Sequence, residues 1–256
     1  MNASRRDETP AAIAVVDLVK TYGRVKALDS VSFELPRGSF TALLGLNGAG
    51  KSTLMQILTG LFAADTGRVT VDGLSLSENP VAVLARLGIV FQQPSLDLDL
   101  TVAQNLAYFA GLQGLTGARR AAAIEGALSL FDLDGEIHAK VRKLSGGTRR
   151  KIELGRALMA EPSVLLLDEA TQGLDPASRR DLVAHVSALV DRRKLTVLWA
   201  THIVSEVAEA DAVIVLDRGR IVASGPPARI LAEAGSRSLE EAFLALTARS
   251  DRNRAA

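Results

Sequence analysis

Nine consecutive residues hold the densest chemistry in this chain: Gly45-Leu46-Asn47-Gly48-Ala49-Gly50-Lys51-Ser52-Thr53. The first eight match G-x-x-x-x-G-K-[ST]. Glycines let a backbone come close to a polyphosphate and turn its N–H groups inward. A helix starting behind the loop adds the positive end of its dipole. Lys51 brings a formal charge to β- and γ-phosphates, the Ser52 hydroxyl can ligate Mg²⁺, and Thr53 is expected at the α-phosphate. A second group, Asp168-Glu169, closes the apolar run Val164-Leu165-Leu166-Leu167. In phosphoryl transfer one such carboxylate holds the metal and the other polarises the attacking water. Each motif alone has a plain reading, a glycine turn before a helix or a strand ending in acids. Together they read as a nucleoside triphosphatase.

These groups need a strand before the loop and a helix after it. FTALLG (40–45), set between Gly38 and Gly45, predicts a buried strand, and STLMQILTGL has helical apolar spacing. Earlier, IAVVDLVKTY and LDSVSFEL read as strands, the second closed by Pro36-Arg37-Gly38. Further strands are predicted at 67–73, 87–91, 163–168, 195–200, 212–217 and 220–225. VAQNLAYFAGL and RAAAIEGALSLFDL read as helices, with another over about 148–159. This alternation with a helical block inserted predicts an α/β sheet plus a helical subdomain. Residues 1–12 read as a disordered polar tail, SLEEAFLALTARS as an amphipathic helix, and DRNRAA as its frayed end.

Composition narrows the field. The chain has 256 residues, 48% of them hydrophobic, enough for a sizeable core. Lys plus Arg number 30 against 29 Asp plus Glu, a balance that argues against bulk attraction to nucleic acid or lipid headgroups. The absence of cysteine excludes disulfides, thiolate zinc sites, iron–sulfur clusters and a thiol nucleophile. No run approaches the ~18 apolar residues of a membrane span. The expectation is a soluble, intracellular protein.

Leu144-Ser145-Gly146-Gly147-Thr148-Arg149-Arg150 settles the kind of triphosphatase. LSGGTRRKIELGRAL resembles the signature motif of ABC-family ATPases, and it lies between the other two motifs in that family's order. Further markers fall in place. Tyr22 in KTYG resembles the aromatic that stacks on adenine, and Gln92 in IVFQQ the glutamine that reaches towards Mg²⁺ and water. Asp175 in GLDP resembles the D-loop aspartate, and His202 after Thr201 the histidine on the γ-phosphate. Alone, each would read as an ordinary aromatic, loop amide, or strand-end histidine. Thr148 stands where the family commonly has Gln, but Ser145 and Gly147 carry the phosphate contacts, so closure on ATP should survive.

The resemblance implies a P-loop NTPase core with a mixed sheet, an N-terminal antiparallel β subdomain and an inserted α-helical signature subdomain. The ATPase domain would cover 13–232, its helical subdomain about 95–160, and a C-terminal helix and tail 233–256. It implies ATP and Mg²⁺, with Ser52, Gln92 and Asp168 near the metal and Glu169 as the base. It also implies a head-to-tail dimer in which Ser145, Gly146 and Gly147 complete the site of a second, identical or homologous subunit. An integral membrane permease would be the other partner, contacted near residues 92–105 at the inner face of the cell membrane. No direct nucleic-acid contact is expected. Rival readings are a soluble ABC ATPase of translation or DNA metabolism, an assembly ATPase, and the ATPase of an importer. SLEEAFLALT resembles the tail of ATPases paired with ABC-2-type exporters. FQQPSLDLDLTVAQNLAYFAGLQGL and VLWATHIV resemble a subgroup associated with PQQ-dependent alcohol oxidation. His138, His185 and the Arg149-Arg150-Lys151 run read as solvated surface.

Overall fold

The computed structural model describes residues 10–207 and 210–255. Strands β1 (Ile13–Tyr22) and β2 (Val25–Leu35) form a long hairpin, and β3 (Phe40–Leu44) leads into the loop and α1 (Lys51–Leu58). Then come β4 (Thr66–Val71), β5 (Leu74–Ser75), α2 (Pro80–Leu84) and β6 (Leu87–Val90). Helices α3 (Val102–Leu112), α4 (Gly117–Ser129) and α5 (Gly146–Leu158) form the inserted block. The chain returns through β7 (Val164–Asp168), α6 (Pro176–Arg193), β8 (Thr196–Thr201), β9 (Ala212–Asp217) and β10 (Arg220–Gly225). It closes with α7 (Pro227–Ala234) and α8 (Leu239–Ala255).

Two sheets result. The smaller is antiparallel in the order β2-β1-β4-β5. The larger has the order β10-β9-β3-β8-β7-β6, parallel except for the edge strand β10. Strand periodicity divides the core between the two faces of this larger sheet. Leu165, Leu167, Val197 and Trp199 face the helical block and α6. Val164, Leu166, Leu198 and Ala200 face α1 and the small sheet. Both faces are covered, which is why these strands read as continuous apolar runs.

Local chemistry sets the helix starts. Thr101 and Gln104 form a reciprocal capping box on α3. Asp175 caps α6, whose first residue is Pro176. The expected tail over 1–12 lies outside the described residues up to position 9, but Ala12 is buried and its N–H donates to Leu35 O. At the other end α8 is helical to Ala255.

Candidate active site at the carboxyl edge of the central sheet

Register explains why distant residues meet. Leu44 of β3 pairs with Thr201 of β8, and Asp168 of β7 pairs with Ala200. The residues just past these strands therefore share one edge, the usual ligand side of a parallel sheet. There the phosphate loop follows β3, Glu169 follows β7, His202 follows β8, and Gln92 lies just beyond β6.

The loop is shaped by side chains that are missing. Gly50 has φ 106, and a Cβ there would lie 2.5 Å from Ala27 O; one on Gly45 would lie 2.5 Å from Leu216 O. Gly219, in the turn between β9 and β10, also faces Ala27 O; it donates to Ala49 O and accepts from Asp29 N–H, each at 2.8 Å. Strand β2, the loop and the β9–β10 turn thus meet backbone to backbone. Gly50 offers no side chain to cap α1, which leaves the first amides of the helix open to an anion.

Lys51 is buried, and its Nζ donates to Gly45 O at 2.7 Å and Leu46 O at 3.3 Å. It stands 3.4 Å from Glu169 Oε1. Burial draws its pKa down, and the charge of Glu169 opposes that shift. Glu169 has a left-handed backbone, φ 46, and its N–H is held by Ala200 O. Its carboxylate accepts from Gln92 Nε2 at 3.1 Å and lies 3.2 Å from His202 Nδ1. Asp168 is buried beside it. Burial, then the neighbouring Glu169, push the Asp168 pKa up to about 6, and its Oδ1 has no hydrogen-bond partner. That orphaned oxygen suits a cation. Among the described residues no three acidic or histidine side chains gather as a metal cage, so a metal here would need the nucleotide's own oxygens.

Asn47, Lys51, Ser52, Thr53, Gln92 and Glu169 line one cleft. Gly48 borders it with open space where a Cβ would be, and Ala49 is turned into the core. Tyr22 stands at the tip of the β1–β2 hairpin, paired with Val25 and edge-on to the Phe62 ring. The signature forms a separate cluster. Ser145 caps α5 by accepting from Thr148 N–H, and its hydroxyl also meets that of Thr148 at 2.8 Å. A Cβ on Gly147 would lie 3.0 Å from Ser178 Oγ, which donates to Asp175 Oδ2 at 2.6 Å; a Cβ on Gly146 would meet Leu174.

Three working residues were not visible in the sequence. Gln172 Oε1 accepts a second bond from Gln92 Nε2 at 2.9 Å. Glu206, fully buried, accepts from Thr201 Oγ1 at 2.5 Å and from Thr171 Oγ1, joining the turn after β7 to the end of β8. Arg150 is buried rather than solvated. Its signal was positional: with Leu154, Ala157 and Leu158 it falls on the buried stripe of α5 at helical spacing. His185 also departs from a solvated reading; its ring lies beside Phe131, and its Nδ1 is 2.7 Å from Asp181 O.

Comparisons with known proteins agree with this geometry. The family model described as ABC transporter matches residues 28–172. The chain is 41% identical to the daunorubicin resistance ATP-binding protein DrrA3 of Streptomyces coeruleorubidus, over 88% of this chain and 71% of that protein. It is 36% identical to the Nod factor export ATP-binding protein I of Paraburkholderia xenovorans, over 87% and 73%. Among solved structures, an ATP-binding subunit of an ABC transporter superposes with a TM-score of 0.81 at 29% identity, covering 92% of this chain and 99% of that one. The dimeric bacterial ABC transporter cassette MJ0796 gives 0.74 at 26%, covering 84% and 98%. A phosphate loop and carboxylate pair at the edge of this sheet and a signature at the start of α5, matched by that family over more than half the chain, place the protein in the ABC transporter family as an ATP-binding, ATP-hydrolysing subunit.

Proposed function

We propose that this chain powers an exporter as a head-to-tail dimer beneath an integral membrane permease. One observation carries the reading: the chemical groups divide into two clusters. Lys51, Gln92, Glu169 and His202 meet around one cleft, while Ser145 and Asp175 gather at the start of α5 and α6. A two-fold axis would bring each signature to the other chain's cleft. The dimeric cassette MJ0796 supports the assembly. The drug-resistance and Nod factor export relatives support the direction. No described helix is long and apolar enough to cross a membrane, so a partner would supply the spans. Exposed Phe91, Leu98 and Tyr108, in and beside residues 92–105, suit contact with that partner at the inner face of the membrane.

In this reading adenine stacks on Tyr22, and Lys51 leaves the carbonyls of Gly45 and Leu46 for the β- and γ-phosphates. The open amides of α1 take the remaining charge, with Asn47 to Gly50 lining the approach and Thr53 at the α-phosphate. Ser52, Gln92 and Asp168 would hold Mg²⁺, which would neutralise further phosphate charge. Glu169 accepts the proton of the attacking water, Gln92 orients it, and His202 holds the γ-phosphate. Ser145, Gly146 and Gly147 close the site from the second subunit, with Asp175 beside them. Loss of the γ-phosphate then removes what joins the subunits. The finer assignment to the PQQ-associated subgroup rests on FQQPSLDLDLTVAQNLAYFAGLQGL and VLWATHIV, and the genes beside this one test it.

Glu169→Gln is the test. Hydrolysis should fall at least ~100-fold while MgATP traps a dimer visible by light scattering. Near-normal turnover, or a monomer at saturating MgATP, would overturn the reading. Stimulation of the wild-type ATPase by solutes, with co-purified permease, then reports what is moved.

A further inference from the structure

We infer that Arg150 is a positioning residue that sets Gln92 and Glu169 against the helix carrying the signature. It rests on the roles given to those two residues above. Arg150 is 5% exposed, yet its guanidinium is saturated. Nε donates to Ala170 O, and Nη1 donates to Phe91 O at 2.9 Å and to Glu153 Oε2 at 2.6 Å. Nη2 reaches Gln92 O at 3.2 Å and Glu169 O at 3.5 Å. One side chain therefore holds four carbonyls from two separate loops, the turn after β6 and the turn after β7. Those loops carry the two side chains that meet in the cleft, Gln92 Nε2 on Glu169 Oε2.

The partner carboxylate extends the clamp. Glu153 is 2% exposed, and its Oε1 accepts from Ser95 N–H at 2.6 Å and Ser95 Oγ at 3.2 Å. Arg156 Nη1 donates to the same hydroxyl at 2.8 Å. Only a planar fork of five donors can serve this many acceptors at once. Lysine, with three donors on one atom, cannot span both loops. Since Ser145 caps the same helix, any shift of α5 moves the backbone beneath both Gln92 and Glu169. A catalytic pair displaced by about 1 Å loses up to ~100-fold in rate.

Two variants test this, Arg150→Lys and the double variant Arg150→Met/Glu153→Gln. The double variant leaves no unpaired charge in the pair, and the amide oxygen introduced at 153 keeps Ser95 N–H bonded. Folding is checked by circular dichroism and thermal melting, affinity by titration with a fluorescent ATP analogue and Mg²⁺, and turnover by steady-state kinetics. Folded variants should lose at least ten-fold in kcat with nucleotide affinity within two-fold of wild type. Turnover within two-fold of wild type in either variant overturns the inference. So does a parallel fall of affinity and kcat, which would mark a general structural role. If Arg150→Lys does not fold, the double variant decides. Glu169→Gln run alongside separates the two readings: normal turnover there removes the assignment of the base, not that of the clamp.

Discussion

Ser145 enters the structure already bonded. Its hydroxyl caps α5 and lies 2.8 Å from the Thr148 hydroxyl, and with Ser145 as the donor of that pair a phosphate oxygen from the proposed second subunit would compete with an internal acceptor. The departure from the family's usual Gln at 148 therefore has a physical meaning. A net hydrogen bond contributes about 1 kcal/mol, roughly five-fold in an equilibrium constant. Thr148→Val in the Glu169→Gln background should strengthen ATP-driven dimerisation two- to five-fold by light scattering. A weakened dimer would show instead that the Thr148 hydroxyl holds Ser145 in its working orientation. Residues at this scale differed sharply in how legible they were. Lys51, Ser52, Asp168 and Glu169 stood out as motifs at the ends of apolar strands, and His202 only through its resemblance to the family's histidine. Arg150 did not, because a basic run on a helix is ordinarily solvated; the carbonyls that hold Arg150 come from residues about 60 and 20 positions away along the chain.

Among the elements, the long apolar strands were readable to within a residue or two. β3, β7, β8 and β9 follow directly from apolar runs buried on nearly every residue, and β1 and β10 from apolar-rich runs that alternate only in part. α2, with five residues, is too short for helical periodicity, and the order of strands in the larger sheet is a property of pairing that no window of sequence contains. The loop between β3 and α1 offers a sharper test. Gly48 and Gly50 both have positive φ, but a Cβ on Gly48 meets nothing within 4 Å whereas one on Gly50 would strike Ala27 O. Gly48→Ala should cost only the conformational term, about 1–2 kcal/mol. Gly50→Ala adds a backbone clash, so its Tm should fall further, by about 2–4 °C for each additional kcal/mol. Equal melting temperatures for the two variants would mean that the close approach of β2 carries no energy.

For the whole molecule, the proposed head-to-tail dimer rests on two clusters held apart within one chain, the cleft around Lys51 and the signature at Ser145. This predicts complementation between two dead variants. A Lys51→Ala subunit has a broken phosphate loop and an intact signature; a Ser145→Arg subunit has the reverse. Head-to-tail pairing gives every mixed dimer one intact site. An equimolar mixture should therefore recover roughly a quarter of the wild-type ATPase rate, from half the dimers carrying one of two sites. No recovery above either variant alone would exclude this arrangement.

The meeting of Gly50, Gly219 and Ala27 has a consequence beyond shape. Ala27 lies two positions along β2 from Val25, the partner of Tyr22, and Gly219 bonds both Ala49 and Asp29. No side chain separates these backbones, so none can rearrange to let them slide. The hairpin tip and the phosphate loop behave as the two jaws of a fixed gauge. With adenine on Tyr22 and phosphates on Lys51, as proposed, such a gauge would measure its ligand from ring to phosphate and reject a molecule of the wrong length whatever its charge.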